Sequence, residues 1–328
     1  MSLKRLEKAW LLAIAMISWT PIALANYAEG EAADAVIAAV SEQGVDAAWA
    51  RDLLAQAEKR QSILDAMSRP AEKTKPWHEY RQIFITPQRI AGGVAFYEQY
   101  RETLVSVAEK TGVPAEVIVA IIGVETYYGR IQGSYRVIDA LSTLAFDYPA
   151  RSPFFTQELI HFLVLSWQSG KDPLALNGSY AGAMGWGQFM PSSYRSYAVD
   201  YDGDGIRDIW DNPQDAIYSV ANYFRAHGWR HGEAVVVGAT GSAPEAELFS
   251  AGLRPSVTVG QAVAAGLAPT TELFTDTLVT PLLFNQLDGN EYWLGLHNFY
   301  VITRYNHSAM YAMAVWQLSQ AIRAELVR

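Results

Sequence analysis

The chain has no cysteine. Disulfides, thiol catalysis and lipid attachment at an N-terminal cysteine are thereby excluded. Positive charge is scarce: 25 Lys+Arg stand against 34 Asp+Glu over 328 residues, a formal net charge of −9. A nucleic-acid partner, which calls for a basic patch, is not expected. The apolar run placed to anchor the chain in a membrane, Ala9 to Ile17, is short and broken by Ser18, Thr20 and Pro21. Lys4, Arg5 and Lys8 lead into it, and Ala23-Leu24-Ala25 supplies a small-x-small cleavage pattern. Residues 1–25 therefore read as an export signal, and the mature chain, from Asn26, as exported and soluble. Repeats and low-complexity segments are absent.

What remains is half hydrophobic, so globular, with length for about two domains. Ten Trp and eighteen Tyr offer flat apolar faces with polar tips, which suit core packing and also suit sugars. The organising stretch is Pro114 to Arg130, PAEVIVAIIGVETYYGR. Seven of the nine residues from Val117 to Glu125 are Val, Ile or Ala, apolar on every face, so a buried helix is expected, with Gly129 as its stop. One ionisable group, Glu125, sits near its end. A carboxyl desolvated there tends to hold its proton, which is what a general acid needs. The alternative is ordinary structure, with Glu125 facing a cleft or paired to an arginine.

Around this helix the pattern is mostly helical. Periodic apolar positions predict helices over about 31–40 and 47–67, a long one from Thr86-Pro87 to about Lys110, and others over 139–145, 152–167 and 213–224. A polar connector runs from Pro70 to Pro76. After His231 short β-branched runs appear at 234–237, 256–259, 278–280 and 300–303, with a short helix near 260–265. These predict a small antiparallel sheet. Ser308 is placed to cap a last helix that packs back on the helical part.

Two stretches break the pattern. Ser179 to Tyr194, SYAGAMGWGQFMPSSY, mixes small residues with Gln188 and aromatics, as a tight turn or a cleft wall would. Asp200 to Asp211, DYDGDGIRDIWD, places carboxylates at positions 1, 3, 5, 9 and 12 of a twelve-residue loop, with Gly205 at the sharp turn. That is the calcium loop of an EF-hand, with the Ile206 carbonyl at position 7. Position 12 is Asp211 rather than Glu, and Asp215, one helical turn on, is placed to compensate. Hard oxygen donors favour calcium in a structural role.

The segments IIGVETYYGR, LSTLAFDYP, GSYAGAMGWGQFMPSSY, AVDYDGDG, ANYFRAHGW and NFYVITRYNHSAMYAMAVWQL together resemble the membrane-bound lytic transglycosylase B family, from about Asp65 to Leu326. The resemblance implies a mainly α (α+β) fold: a helical domain (26–113), a lysozyme-like catalytic core (114–230) carrying the EF-hand-type loop, a small antiparallel β-domain (231–304) and a C-terminal helix (305–328). It implies a periplasmic enzyme that cuts the MurNAc–GlcNAc β-1,4 bond of peptidoglycan and leaves 1,6-anhydro-MurNAc ends. By position, Glu125 matches the family's single acid/base. Tyr80, Ser179, Gln188, Tyr223, Tyr305, Asn306 and Tyr311 match cleft positions. Asp200, Asp202, Asp204, Asp211, Asp215 and the Ile206 carbonyl match the calcium site. Where the family often has paired arginines this chain has Ala150-Arg151, leaving Arg151 alone to meet the acidic peptide stem. Lacking cysteine, the chain should not share the membrane attachment in the family's name.

The resemblance implies that glycan strands are the partner, that no organic cofactor is needed, and that the protein is a monomer whose candidate protein partners belong to cell-wall synthesis or hydrolysis. Two other readings differ in chemistry. A hydrolytic muramidase would want a second acid, for which Asp139, Asp147 and Glu158 are candidates. A non-enzymatic calcium-dependent glycan-binding protein would not need Glu125.

Overall fold

The computed structural model describes residues 26–68, 75–241 and 244–328. The export signal and most of the Pro70–Pro76 connector lie outside the described residues. The helices are α1 (Glu31–Ser41), α2 (Ala47–Ala55), α3 (Gln61–Ser68), α4 (Trp77–Phe84), α5 (Pro87–Gln99), α6 (Arg101–Thr111) and α7 (Ala115–Thr126). They continue with α8 (Val137–Asp147), α9 (Ser152–Ser169), α10 (Pro191–Tyr197), α11 (Pro213–Ala226), α12 (Val259–Ala264), α13 (His297–Tyr305) and α14 (Ala309–Leu326). A two-residue ladder joins β1 (Tyr135–Arg136) to β2 (Asn177–Gly178). The sheet is formed by β3 (Val236–Thr240), β4 (Val257–Thr258), β5 (Ala268–Pro269), β6 (Leu278–Gln286) and β7 (Gly289–Gly295), antiparallel in the order β4-β6-β7-β3-β5. This is the expected mainly helical architecture with a small antiparallel sheet.

The α7 helix forms the centre of one core. Nine of its twelve residues are buried, and α14, α5, α11 and α6 pack around it. Close approach is possible because glycines make room for large side chains: a Cβ on Gly123 would lie 2.6 Å from the Tyr128 ring, and one on Gly93 would lie 2.4 Å from Ile322. Leu282 and Phe284 of β6 join this core, with Phe284 against Trp77 of α4. A second core unites α1–α3 with α8, α9 and α10. Packing thus crosses the expected boundary at 113, because α1–α3 join the core of α8 and α9, while α5 and α6 pack on α7 and α4 packs on α14 and β6.

Three local expectations change. The 47–67 helix is broken at residues 56–60, where Asp139 accepts the Glu58 N–H (2.9 Å) and Thr143 the Arg60 N–H (3.0 Å). The 86–110 helix splits at Tyr100 (φ −116, ψ 25), whose ring packs edge-on to Trp186. The β-branched run 300–303 is helical, within α13. Asn298, Phe299, Val301, Ile302 and Thr303 are buried there, and tertiary burial outweighs strand propensity. The longest strand missed is Gly289–Gly295, whose Gly, Asn and Glu gave little β signal; the two-residue strands β1, β2 and β5 were also not expected. It pairs with β6 along its whole length, from Gln286↔Gly289 to Thr280↔Gly295.

Asp139 is fully buried and takes charged hydrogen bonds from Arg60 (2.8 and 3.0 Å) and Arg136 (2.7 and 2.9 Å). It ties the α2–α3 segment to α8. Truncating one member of such a buried set leaves charges uncompensated. Asp139→Ala should therefore lose about 3–5 kcal/mol of stability, read as a lowered midpoint in urea with an unchanged m-value.

Candidate active site

The chain leaves α7 through three consecutive left-handed residues, Tyr127 (φ 52), Tyr128 (φ 64) and Gly129 (φ 79), so the helix stops before the expected glycine. Two tyrosines in that region are uncommon and have to be held there. The Tyr128 hydroxyl donates to the Arg89 carbonyl (2.6 Å), and the Arg89 guanidinium donates to the Gly123 carbonyl and lies 4.7 Å from the Tyr127 ring centre. Thr126 Oγ1 accepts the Gly129 N–H (3.0 Å) and lies 2.9 Å from the Trp186 carbonyl. The end of the helix is thereby pinned to α5 on one side and to the 179–190 loop on the other.

Glu125 sits at this pinned end, enclosed by protein but open to solvent along part of its surface. Burial pushes its carboxyl up to about 7, against the opposing pull of the Tyr311 hydroxyl, which donates to Oε1 at 2.5 Å. Its partner is a phenol rather than an arginine. Burial and the nearby Glu125 charge hold the Tyr311 and Tyr305 phenols well above their ordinary value, so both remain donors. Tyr305 donates to the Gly187 carbonyl (2.6 Å). Ser308 caps α14, accepting the Tyr311 N–H (3.3 Å), which sets the first turn that aims Tyr311.

The other expected cleft residues fall into distinct positions. Tyr80 is buried between Trp77 and Phe84 and near enough to Tyr311 to add to the upward push on its phenol. Tyr223 is buried, stacked on His227 at 4.0 Å, with its hydroxyl on the Arg304 carbonyl (2.5 Å). It packs against Tyr305 as a wall. Gln188 has a left-handed backbone (φ 50), and its side-chain N–H2 donates to the Gln132 and Gly185 carbonyls (3.1 and 3.0 Å). Ser179 Oγ accepts the Ala181 and Ala183 N–H groups (3.3 and 3.1 Å), which leaves its own proton to donate. Asn306 is exposed at the α13–α14 turn. Arg151 is exposed with its guanidinium 4.4 Å from the Phe154 ring centre, and none of its contacts links it to the Glu125 group.

The small residues of the 179–190 loop serve protein contacts: a Cβ on Gly185 would meet the Ile209 carbonyl at 2.4 Å, and one on Gly187 the Tyr305 hydroxyl at 2.8 Å. Sequence reasoning missed Arg89, Thr126 and Trp186. Thr126 lies within the GVETYYGR segment, while the roles of Arg89 and Trp186 depend on contacts distant in sequence.

In the 200–211 loop, carboxylate oxygens of Asp200, Asp202 and Asp204 lie within 4.8 Å of one another. Asp200 also accepts the Gly203 and Gly205 N–H groups (2.7 and 2.8 Å), as the tight turn requires. Three converging hard oxygens fit calcium. The remaining acids are arranged otherwise. Asp208 pairs with Lys171 (2.8 Å), and Asp211 is exposed outside the converging set. Asp215 is fully buried and takes the Tyr201 and Asp208 N–H groups, each at 2.7 Å, so it braces the loop from beneath.

The family model described as the transglycosylase SLT domain matches residues 28–320. The chain belongs to the lytic transglycosylase family. It is 48% identical over 292 residues to membrane-bound lytic murein transglycosylase B of Escherichia coli (strain K12), covering 86% of this chain and 80% of that protein. Its fold matches the catenated lytic transglycosylase SltB1 of Pseudomonas aeruginosa with a TM-score of 0.86 and 50% identity, over 91% of this chain and 99% of that one. It also matches the Escherichia coli lytic transglycosylase Slt35 solved in complex with calcium (TM-score 0.83, 45% identity, 92% and 96% covered).

As a lytic transglycosylase the chain is an enzyme, and the three acids that a hydrolytic muramidase would have recruited are all engaged elsewhere. Asp139 is held by its two arginines. Asp147 pairs with Lys59 (2.6 Å) and takes the Tyr27 hydroxyl. Glu158 accepts the Ser192 N–H and hydroxyl (2.9 and 2.7 Å) at the start of α10.

The shift on Glu125 has a consequence for stability. A carboxyl that binds its proton more tightly when folded contributes stability fully below its unfolded value near 4.5, and loses it as pH rises through about 7. Glu125→Gln, which keeps the shape and never charges, should melt higher than wild type at pH 8, with the gap closing by pH 4. Thermal melts across that range test it; a gap independent of pH would contradict the burial of Glu125.

Proposed function

We propose that the protein cleaves the β-1,4 bond between MurNAc and GlcNAc of peptidoglycan in the periplasm, with Glu125 as its single acid and base. The observation that carries this is one carboxyl, enclosed, poised near neutrality and held by Tyr311. Such a group can give and then recover a proton at working pH. Neutral Glu125 donates its proton to the glycosidic oxygen as the C1–O bond breaks. The substrate's own acetamido carbonyl oxygen stabilises C1, the substrate-assisted alternative to a second enzyme carboxylate. The sugar's 6-hydroxyl then bonds to C1 and passes its proton to the Glu125 carboxylate, restoring the acid. No water is consumed, and the internal hydroxyl acts at high effective concentration.

The free proton of Ser179 and the side-chain oxygen of Gln188 are suited to hold the sugar, while Tyr80, Tyr223 and Tyr305 supply walls. Asn306 stands at the rim, and Arg151, exposed, is available to a carboxylate of the peptide stem. Calcium at Asp200, Asp202 and Asp204, with the Ile206 carbonyl, would fix the loop whose Ile209 and Trp210 carbonyls take the Trp186 N–H groups. Among the described residues no helix is long and apolar enough to cross a membrane. Release of the signal at residues 1–25 would leave a free enzyme, acting as a monomer and working beside other cell-wall enzymes.

Digestion of purified sacculi should yield muropeptides ending in 1,6-anhydro-MurNAc, each one water lighter than a hydrolytic product. Mass spectrometry dominated by reducing MurNAc with ¹⁸O from labelled water would defeat the reading. Glu125→Gln should lower the rate by at least about 10²–10⁴-fold.

Calcium bound to the native state alone should raise the melting temperature. Wild type should melt lower in chelator than in millimolar calcium, and Asp204→Ala should lose that difference. Identical wild-type curves in both buffers would remove the metal from the proposal.

A further inference from the structure

Gln132 lies in the stretch that carries the chain away from α7, beyond Glu125. Nothing in the sequence singles it out, yet it joins three parts of the structure. Its side-chain N–H2 donates to the Gly129 and Trp210 carbonyls, each at 3.3 Å, and its own carbonyl accepts from the side-chain N–H2 of Gln188 (3.1 Å). The Trp210 carbonyl also takes the Trp186 indole N–H (2.9 Å), and only Gly187 separates Trp186 from Gln188. The contacts therefore close into a ring, from Trp210 through Gln132 and Gln188 to Trp186 and back to Trp210. Beside it, Gly133 (φ 97) has no room for a Cβ, which would lie 2.0 Å from the Gly178 carbonyl, so the stretch is braced on that side as well.

The ring fixes which end of the Gln188 amide points where. A carbonyl oxygen only accepts, and the Gln188 N–H2 lies between the Gln132 and Gly185 carbonyls (3.1 and 3.0 Å). Exchanging the amide's two ends would set oxygen against oxygen twice. Gln188 Oε1 has no hydrogen-bond partner among the described residues and is not buried. An amide held in this way offers a ligand an acceptor alone. The neighbouring Gly187 carbonyl takes the Tyr305 hydroxyl (2.6 Å), and Tyr305 feels the charge of Glu125, so a single phenol links the ring to the catalytic carboxyl.

We propose that Gln132 is a positioning residue for the glycan: it holds the Gln188 amide with its oxygen free, so that Gln188 takes an O–H or N–H of the sugar and never offers its own N–H2. The proposal rests on the reading of Gln188 as a sugar contact. Without the Gln132 side chain, the stretch from Gly129 to Gly133 loses its tie to Trp210, its carbonyl is no longer fixed against Gln188, and the amide is free to turn. A turned amide meets the sugar's donor with a donor, which weakens binding in the ground and transition states alike.

The test is Gln132→Met, which keeps the length of the side chain and removes both donors, measured on glycan strands stripped of their stem peptides. KM should rise several-fold, up to about tenfold for a misdirected hydrogen bond, with kcat little changed. Gln188→Met should raise KM in the same way, and the double variant should be no worse than Gln188→Met alone. A merely structural Gln132 would lower the melting temperature and leave KM as it was, or would add its effect to that of Gln188→Met; an unchanged KM or additive effects overturn the proposal. An unchanged KM in Gln188→Met would defeat the sugar contact itself, and the proposal with it. A second arm needs no substrate. With glutamine side chains labelled in ¹⁵N, the Gln188 N–H2 signals, identified by their loss in Gln188→Met, should exchange slowly in wild type and fast in Gln132→Met. Fast exchange in wild type, or slow exchange in both, contradicts the positioning role whatever the sugar contact proves to be. Should Gln132→Met melt below the assay temperature, Gln132→Glu, equal in shape and without the amide donors, replaces it in both arms.

Discussion

The structure turns on a single desolvated carboxyl. Glu125 can keep its proton near neutrality only while α7 is surrounded by apolar side chains and Tyr311 stays in place, and most of the first core serves those two conditions. Small residues on α5 and α7 let the helices close, Arg89 and Tyr128 pin the exit from α7, and Ser308 fixes the turn carrying Tyr311. The phenol and the enclosure pull in opposite directions. Enclosure favours the neutral acid, and the phenol's hydrogen bond favours the carboxylate. A value near neutrality is the balance of the two.

Much of this was legible in the chain. An apolar run interrupted by one Glu is a physical anomaly, and its cost is what marks it as a site. The acidic loop stood out as a candidate cation site for the same reason: acids at alternating positions around a glycine make sense chiefly around a cation, and oxygens of Asp200, Asp202 and Asp204 lie close together. The loop's later positions were not legible. The preferences of Asp208 for Lys171 and of Asp215 for two backbone N–H groups are set by neighbours remote in sequence. Tyr300–Thr303 misled because branched side chains signal burial as much as strand. The β7 strand hid because its partner β6 supplies most of the apolar character of the hairpin.

The two cores divide the work. The first holds the acid, and the second, with α8 and α9 at its heart, holds the buried ion set of Asp139, Arg60 and Arg136 together with the 179–190 loop. They meet at Trp186, Thr126 and Tyr305, the residues through which the loop is set against Glu125. With no disulfide to cross-link them, registration between the cores depends on these few hydrogen bonds and on ring contacts such as Tyr223 with Tyr305.

Glu125 and Tyr311 are 186 residues apart in the chain. Contacts so distant in sequence form late, and a chain emerging from its N-terminus completes α7 well before α14 exists. Until the last helix docks, Glu125 lacks both the Tyr311 hydrogen bond and the part of its enclosure that α14 supplies. The environment of the acid is thus complete only once α14 has docked. A chain without α14 carries Glu125 without the phenol that holds it, so the character of this carboxyl depends on a segment far along the sequence.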